Sequence, residues 1–101
     1  MPAVARKGGE DSVSTGHGCD AITATDQGSS SVFVNSIGVV RAQDLCKVHL
    51  VLQGDVCVPH TVPLDTYSGS VFVDSKGVGR KDDAYSGHTI TSGSGNVFAG
   101  G

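Results

Sequence analysis

Tryptophan is absent from this chain, methionine occurs once, and leucine and isoleucine together number only seven, so the usual filling of a helical core is missing. No window sustains apolar residues at helical spacing over three turns. An excess of basic residues is also lacking. The formal net charge is −3 and the sequence pI about 5.6, which offers none of the cationic surface that nucleic-acid binding needs. The opening Met1-Pro2-Ala3-Val4-Ala5-Arg6-Lys7 has no apolar run of signal-peptide length. No stretch approaches the roughly 20 apolar residues of a membrane span. The chain is therefore expected to be made in the cytoplasm and not to insert by itself. An even cysteine count is lacking too: three cysteines cannot all pair within one chain, and a reducing compartment would hold them as thiols, free to ligate metal.

What is present is a strand-forming composition, with fifteen valines, fifteen glycines and twelve serines. Valine packs well on pleated surfaces, and the small residues cut the chain into short pieces. The expectation is a single all-β domain over residues 1–101 with almost no helix. A chain of this length buries a limited share of its surface, so something besides a large core is expected to help hold it.

The sequence repeats itself. Residues 32–44, beginning Val32-Phe33-Val34-Asn35-Ser36, align without a gap on residues 71–83, beginning Val71-Phe72-Val73-Asp74-Ser75, an offset of 71 − 32 = 39 residues. A truncated third copy closes the chain at Asn96-Val97-Phe98-Ala99-Gly100-Gly101, and Ala3-Val4-Ala5-Arg6-Lys7-Gly8 supplies its missing second half. Each unit reads as a hairpin: a Val-Phe strand, a turn at Asn35-Ser36-Ile37-Gly38 or Asp74-Ser75-Lys76-Gly77, and a return strand through Val39 or Val78. Hairpins this short cannot bury an apolar face alone, so the three units are expected to pack around a shared axis as a small pseudo-threefold cone.

Histidine and cysteine are confined to the segments between these hairpins: His17, Cys19, Cys46, His49, Cys57, His60 and His88. That is seven candidates for the four places of a tetrahedral Zn²⁺ or Fe²⁺ site. Cys-x-x-His occurs at Cys46 to His49 and at Cys57 to His60, whereas the spacings of a zinc finger or ribbon are absent. A histidine in a Gly-rich loop is more often merely solvated, and a cysteine more often a small buried apolar residue. Enzyme signals are scarce. Ser92-Gly93-Ser94-Gly95 precedes a strand and not a helix, and Asp44, Asp82 and Asp83 sit at repeat positions where a turn-forming role explains them.

The opening Met1-Pro2-Ala3-Val4-Ala5-Arg6, the Thr15-Gly16-His17-Gly18-Cys19 loop, the twice-repeated Ser-Val-Phe-Val hairpin ending in Arg and Asp, and the closing residues 93–101 together resemble a PAAR-repeat protein of the short phage-tail type. The likeness covers nearly the whole chain. It implies a pointed tip, monomeric when free, that caps a trimeric β-helical spike and pierces the host outer membrane, without catalysis. It also implies a virion tail-baseplate location or, alternatively, secretion by a bacterial type VI system. One structural metal, Zn or Fe, would be held by His17, His49, His60 and a cysteine, for which Cys57 is favoured, with Cys46 and Cys19 as rivals and His88 as a substitute imidazole. The chain departs from the usual Gly-Asp after each return strand, carrying Gln43-Asp44 and Asp82-Asp83, and Ser86 stands where a cysteine is often found. Two other functions are a small metal-dependent hydrolase, with an open metal position for water, and a free-standing β binding module.

Overall fold

A computed structural model describes residues 1–101 as an all-β chain of ten short strands without helix, 41 × 24 × 22 Å along its principal axes. Four strands, β1 (Ser12–Ser14), β2 (Ile22–Ala24), β9 (Ala84–Tyr85) and β10 (His88–Ile90), form an antiparallel sheet in the order β2-β1-β10-β9. The rest pair as hairpins: β3 (Phe33–Val34) with β4 (Ile37–Gly38), β5 (His49–Gln53) with β6 (Val56–His60), and β7 (Phe72–Val73) with β8 (Lys76–Gly77).

The two Val-Phe hairpins are built alike. Phe33 pairs with Gly38 and Phe72 with Gly77, around two-residue turns whose φ angles are positive at both positions: 54° and 65° at Asn35 and Ser36, 53° and 65° at Asp74 and Ser75. That is the conformation of a type I′ turn, and Asn and Asp tolerate it better than most residues. The turn therefore centres on Asn35-Ser36 and Asp74-Ser75, one residue earlier than the centres of the four-residue spans expected from sequence. The third unit is completed by the termini, with Ala3 bridging Phe98 as Gly38 bridges Phe33.

Three equivalent strands then close on one another. The amide of Val40 donates to the carbonyl of Ala5 (3.0 Å), that of Gly79 to Val40 (2.8 Å), and that of Ala5 to Gly79 (2.9 Å). These three bonds form a head-to-tail ring around a pseudo-threefold axis. Flanking it, Arg6 bridges Val39, Arg41 bridges Val78, and Arg80 bridges Val4. Gly79 has a steric reason to lack a side chain, because a Cβ there would lie 2.8 Å from Leu64 and 2.9 Å from Val40.

Side chains repeat the same order. Ser29, Ser68 and Ser94 are buried, and each hydroxyl accepts from the amides two and three residues on, at 2.9–3.2 Å, fixing the approach to its Val-Phe strand. Arg6, Arg41 and Arg80 each grip a buried carboxylate, Asp11, Asp44 and Asp83, through Nε and Nη2 at 2.9–3.2 Å. Each arginine's Nη1 reaches onward to the next unit: to Asn35 Oδ1 and Asp74 Oδ2 in the hairpin turns, and to the carbonyl of Ala99, the residue after Phe98 (3.5 Å). The Asp of the repeat is thus a two-pronged acceptor that fastens one unit, while its arginine fastens the next.

Two apolar layers sit on this frame. Val4, Val39, Val73, Val78 and Ala99 form one beside the hairpins. Ala5, Val13, Val40, Cys46, Leu64, Tyr85 and Ile90 form the other. Cys46, Tyr85 and Val13 each lie two residues beyond the repeated aspartate, and all three are buried. Cys46 is therefore a core residue of the repeat, its thiol 3.7 Å from the Thr61 hydroxyl.

Removing one partner of a buried ion pair strands the other, so Asp11→Ala is expected to lose about 3 kcal/mol, read from urea unfolding. Burial alone would raise the Asp11 carboxyl, but hydrogen bonds from Arg6 and Ser92 and the guanidinium charge outweigh it and hold the group below the usual range. Its unfolded state then binds more protons at low pH, so the stabilisation is complete above the ordinary aspartate range and falls away below about pH 4 in a melting series. The Tyr85 hydroxyl is buried without a partner. Tyr85→Phe removes that orphan group and should raise stability by about 1 kcal/mol in the same assay.

Candidate metal centre

Three residues beyond the layer containing Cys46 and Tyr85, the strands deliver His49 and His88. His49 opens β5 and His88 opens β10, and both are buried. The pair are repeat mates, 88 − 49 = 39. His60 closes β6 directly opposite His49 in the hairpin register. His17 comes from the loop joining β1 to β2, which Thr15 closes by donating its hydroxyl to the Asp20 carbonyl and its amide to that of Ala21.

Four Nε2 atoms converge, all within 4.8 Å of one another. His17 Nε2 lies 3.1 Å from that of His49, 3.2 Å from that of His60 and 3.0 Å from that of His88, and His49 and His60 are 2.8 Å apart. Nitrogens bound at about 2.0–2.1 Å to a tetrahedral ion stand about 3.3 Å from one another. The three edges from His17 come close to that figure, and the His49–His60 edge is shorter.

The outer face of the rings decides what these contacts are. Nδ1 of His17 faces the Gly18 carbonyl at 2.9 Å, Nδ1 of His49 the Lys47 carbonyl at 2.9 Å, and Nδ1 of His88 the Ser86 carbonyl at 3.3 Å. A carbonyl only accepts, so each Nδ1 carries the proton and donates it. In the neutral ring each Nε2 is then a bare lone pair. The His17 lone pair then faces those of His49 and His88 at 3.1 and 3.0 Å, contacts that repel unless a cation lies between them. Fixing imidazole tautomers through backbone carbonyls is also how proteins orient histidine toward a metal. The donor set fits one metal ion.

The charged ring is disfavoured here. Burial pushes His60 down, and the neighbouring imidazoles His49, His88 and His17 push it further. Burial likewise lowers His88, aided by His17 and His49, against the opposing pull of the Ser86 and Tyr85 carbonyls.

Of the residues expected from sequence, His17, His49 and His60 meet at this point, and Cys57 does not. Its sulfur is bonded to Cys19, so neither is a thiolate, and neither is held as a free thiol. Cys46 is buried in the apolar layer away from the ligand set. His88 takes the fourth place instead. Its 39-residue relation to His49 was the signal that pointed to it, and the Cys-x-x-His spacings pointed the other way.

Alanine at any one of His17, His49, His60 or His88 is expected to remove the bound ion, measured by elemental analysis of the purified protein, while Cys46→Ala should retain it. For pH, the folded state lowers His60 and His88 below their unfolded value, so their unfolded rings take up protons first. Stability should be complete above about pH 6.5 and decline as pH falls through 6 and 5, followed by thermal melting with and without chelator.

Comparison with known proteins yields no match to any protein-family model or curated protein, and the function rests on the chain's own residues.

Proposed function

We propose that this protein is the metal-stapled tip of a trimeric β-helical spike, of the kind a PAAR-repeat resemblance implies. The observation that carries the reading is the triplicated apolar face. Phe33, Phe72 and Phe98 are 56%, 59% and 49% exposed, and the valines before them 39%, 39% and 36%. Six apolar side chains presented in three near-equal copies are costly on a free surface and suit a partner that offers three equivalent sites. A single chain matches a trimer only if its own face is threefold, and the closed ring of residues 5, 40 and 79 supplies that symmetry.

The histidine cluster supports the same reading. Imidazole suits Zn or Fe, and four protein ligands leave no open coordination position for a reacting water. That disfavours the hydrolase and favours a structural role. A 10.2 kDa chain has little interior to bury, so an ion bound by residues from three separate segments is an effective stiffener. In this role the protein has no catalytic activity. It acts at the end of a phage tail baseplate or of a type VI secretion spike, where it meets the target membrane first.

Mixing the purified chain with a trimeric fragment of the cognate spike's terminal β-helix should give a complex of one chain to three, read by native mass spectrometry. Replacing Phe33, Phe72 and Phe98 together by Ser should abolish the complex while leaving metal content unchanged. A one-to-one or three-to-three complex would overturn the reading.

A further inference from the structure

The Cys19–Cys57 disulfide is placed where it can govern the metal centre. Cys19 lies two residues from His17, and Cys57 three residues from His60. It joins the loop that carries His17 to the hairpin that carries both His49 and His60. His17 is the hub of the cluster, its Nε2 being within 3.2 Å of all three others. Gly16 and Gly18 flank the histidine, with positive φ at Gly16 (71°) and at Cys19 (72°), so the local backbone preference does little by itself to fix where His17 points. Apart from the disulfide, the loop is held against β5 by the Asp20 amide on the Leu50 carbonyl (3.0 Å) and the Leu50 amide on the Asp20 carboxylate (2.7 Å). Both half-cystines are exposed, so small thiols and disulfides can reach them.

We infer that this disulfide is a redox clasp on the metal centre: open while the ion loads, closed once the protein meets an oxidising compartment, where it slows loss of the ion. The inference rests on the metal reading above. Closing the clasp needs a disulfide oxidant, for which oxidised glutathione suffices. One cysteine thiolate attacks a glutathione sulfur and expels a glutathione thiolate. The second cysteine attacks the mixed disulfide and expels the other. The two cysteine protons go to the two departing thiolates, so that two cysteines are oxidised as one glutathione disulfide is reduced. Reducing compartments reverse the exchange, and oxidising ones hold it closed.

Linkage gives the effect a second face. If the closed clasp raises affinity for the ion by some factor, the bound ion must favour the closed clasp by the same factor. Partners that orient metal ligands commonly change affinity about 10- to 100-fold. A tenfold effect moves the clasp's reduction potential by about 30 mV.

The test uses Zn²⁺ as probe. The full chain is loaded with Zn²⁺, and its transfer to a chromophoric chelator is timed in the oxidised protein, after reduction with a phosphine, and after reoxidation with oxidised glutathione. Release is expected to be about 10- to 100-fold faster when reduced and to return to the slow rate on reoxidation. Cys19→Ser/Cys57→Ser should match the reduced protein and ignore the phosphine, and Cys46→Ala should behave like the parent. If the double variant does not fold, the reversible cycle in the parent chain decides alone. Equal release in both redox states, from a protein that holds one Zn²⁺, overturns the clasp and leaves the metal centre standing. No bound Zn²⁺ in either state overturns both. A glutathione titration with and without Zn²⁺ gives the reciprocal reading, and an unchanged potential also overturns the clasp.

Discussion

Three backbone hydrogen bonds running head to tail through Ala5, Val40 and Gly79 impose the constraint on which the rest of the molecule depends. A ring of this kind needs three strands to approach one axis with the same tilt and the same register. Whatever one strand presents above or below the ring, the other two must present as well. Below it, that means three Val-Phe pairs facing solvent. Above it come three arginine-gripped aspartates, then Val13, Cys46 and Tyr85 in one buried layer. Specificity comes from the polar groups more than from the small core. Each guanidinium binds the carboxylate of its own unit and reaches the next, so no unit can shift register without stranding a buried charge.

The frame was legible in the sequence because it is periodic. A 39-residue offset identified the hairpins, and the split third unit identified the meeting of the termini. What broke the period was harder to read. Beyond His49, the β5–β6 hairpin, with the longest strands in the molecule, is an insertion relative to the second repeat. Its Leu50-Val51-Leu52 and Val56-Cys57-Val58 runs flank Gly54-Asp55, a turn signal, and Gly54 does adopt the positive φ (62°) that such a turn uses at its first position. Pro59 lacks an amide donor, yet it pairs with Leu50 in this two-stranded ribbon. The fourth ligand was obscured for a related reason. Cysteine is the softer and commoner choice for zinc, but chemistry alone does not say which sulfur is near the site. The repeat placed Cys46 with Tyr85, a core position, and His88 with His49, a ligand position.

A site made only of neutral imidazoles differs in kind from one with a thiolate. Three of its four rings have their tautomer set by a carbonyl, so the lone pairs are aimed before any ion arrives, at the expense of mutual repulsion. An ion that enters relieves that repulsion and draws together three segments far apart in sequence, residues 17, 49–60 and 88. The apolar layer beneath is small, and its largest member, Tyr85, carries an unpaired hydroxyl. Ligation of an ion by the four rings would therefore add cohesion that burial supplies only sparingly at this end.

Absence of sulfur from the ligand set also makes sense of the disulfide beside it. Zinc thiolates are vulnerable to the same oxidants that form disulfides, so a centre with a Cys57 ligand would be at risk in an oxidising compartment. With His88 in that place, oxidation has no ligand to consume. The two exposed cysteines are then free to react with one another, and their reaction tightens the loop bearing the hub histidine. Metal retention and oxidation act in the same direction, which an all-imidazole site permits and a thiolate site does not.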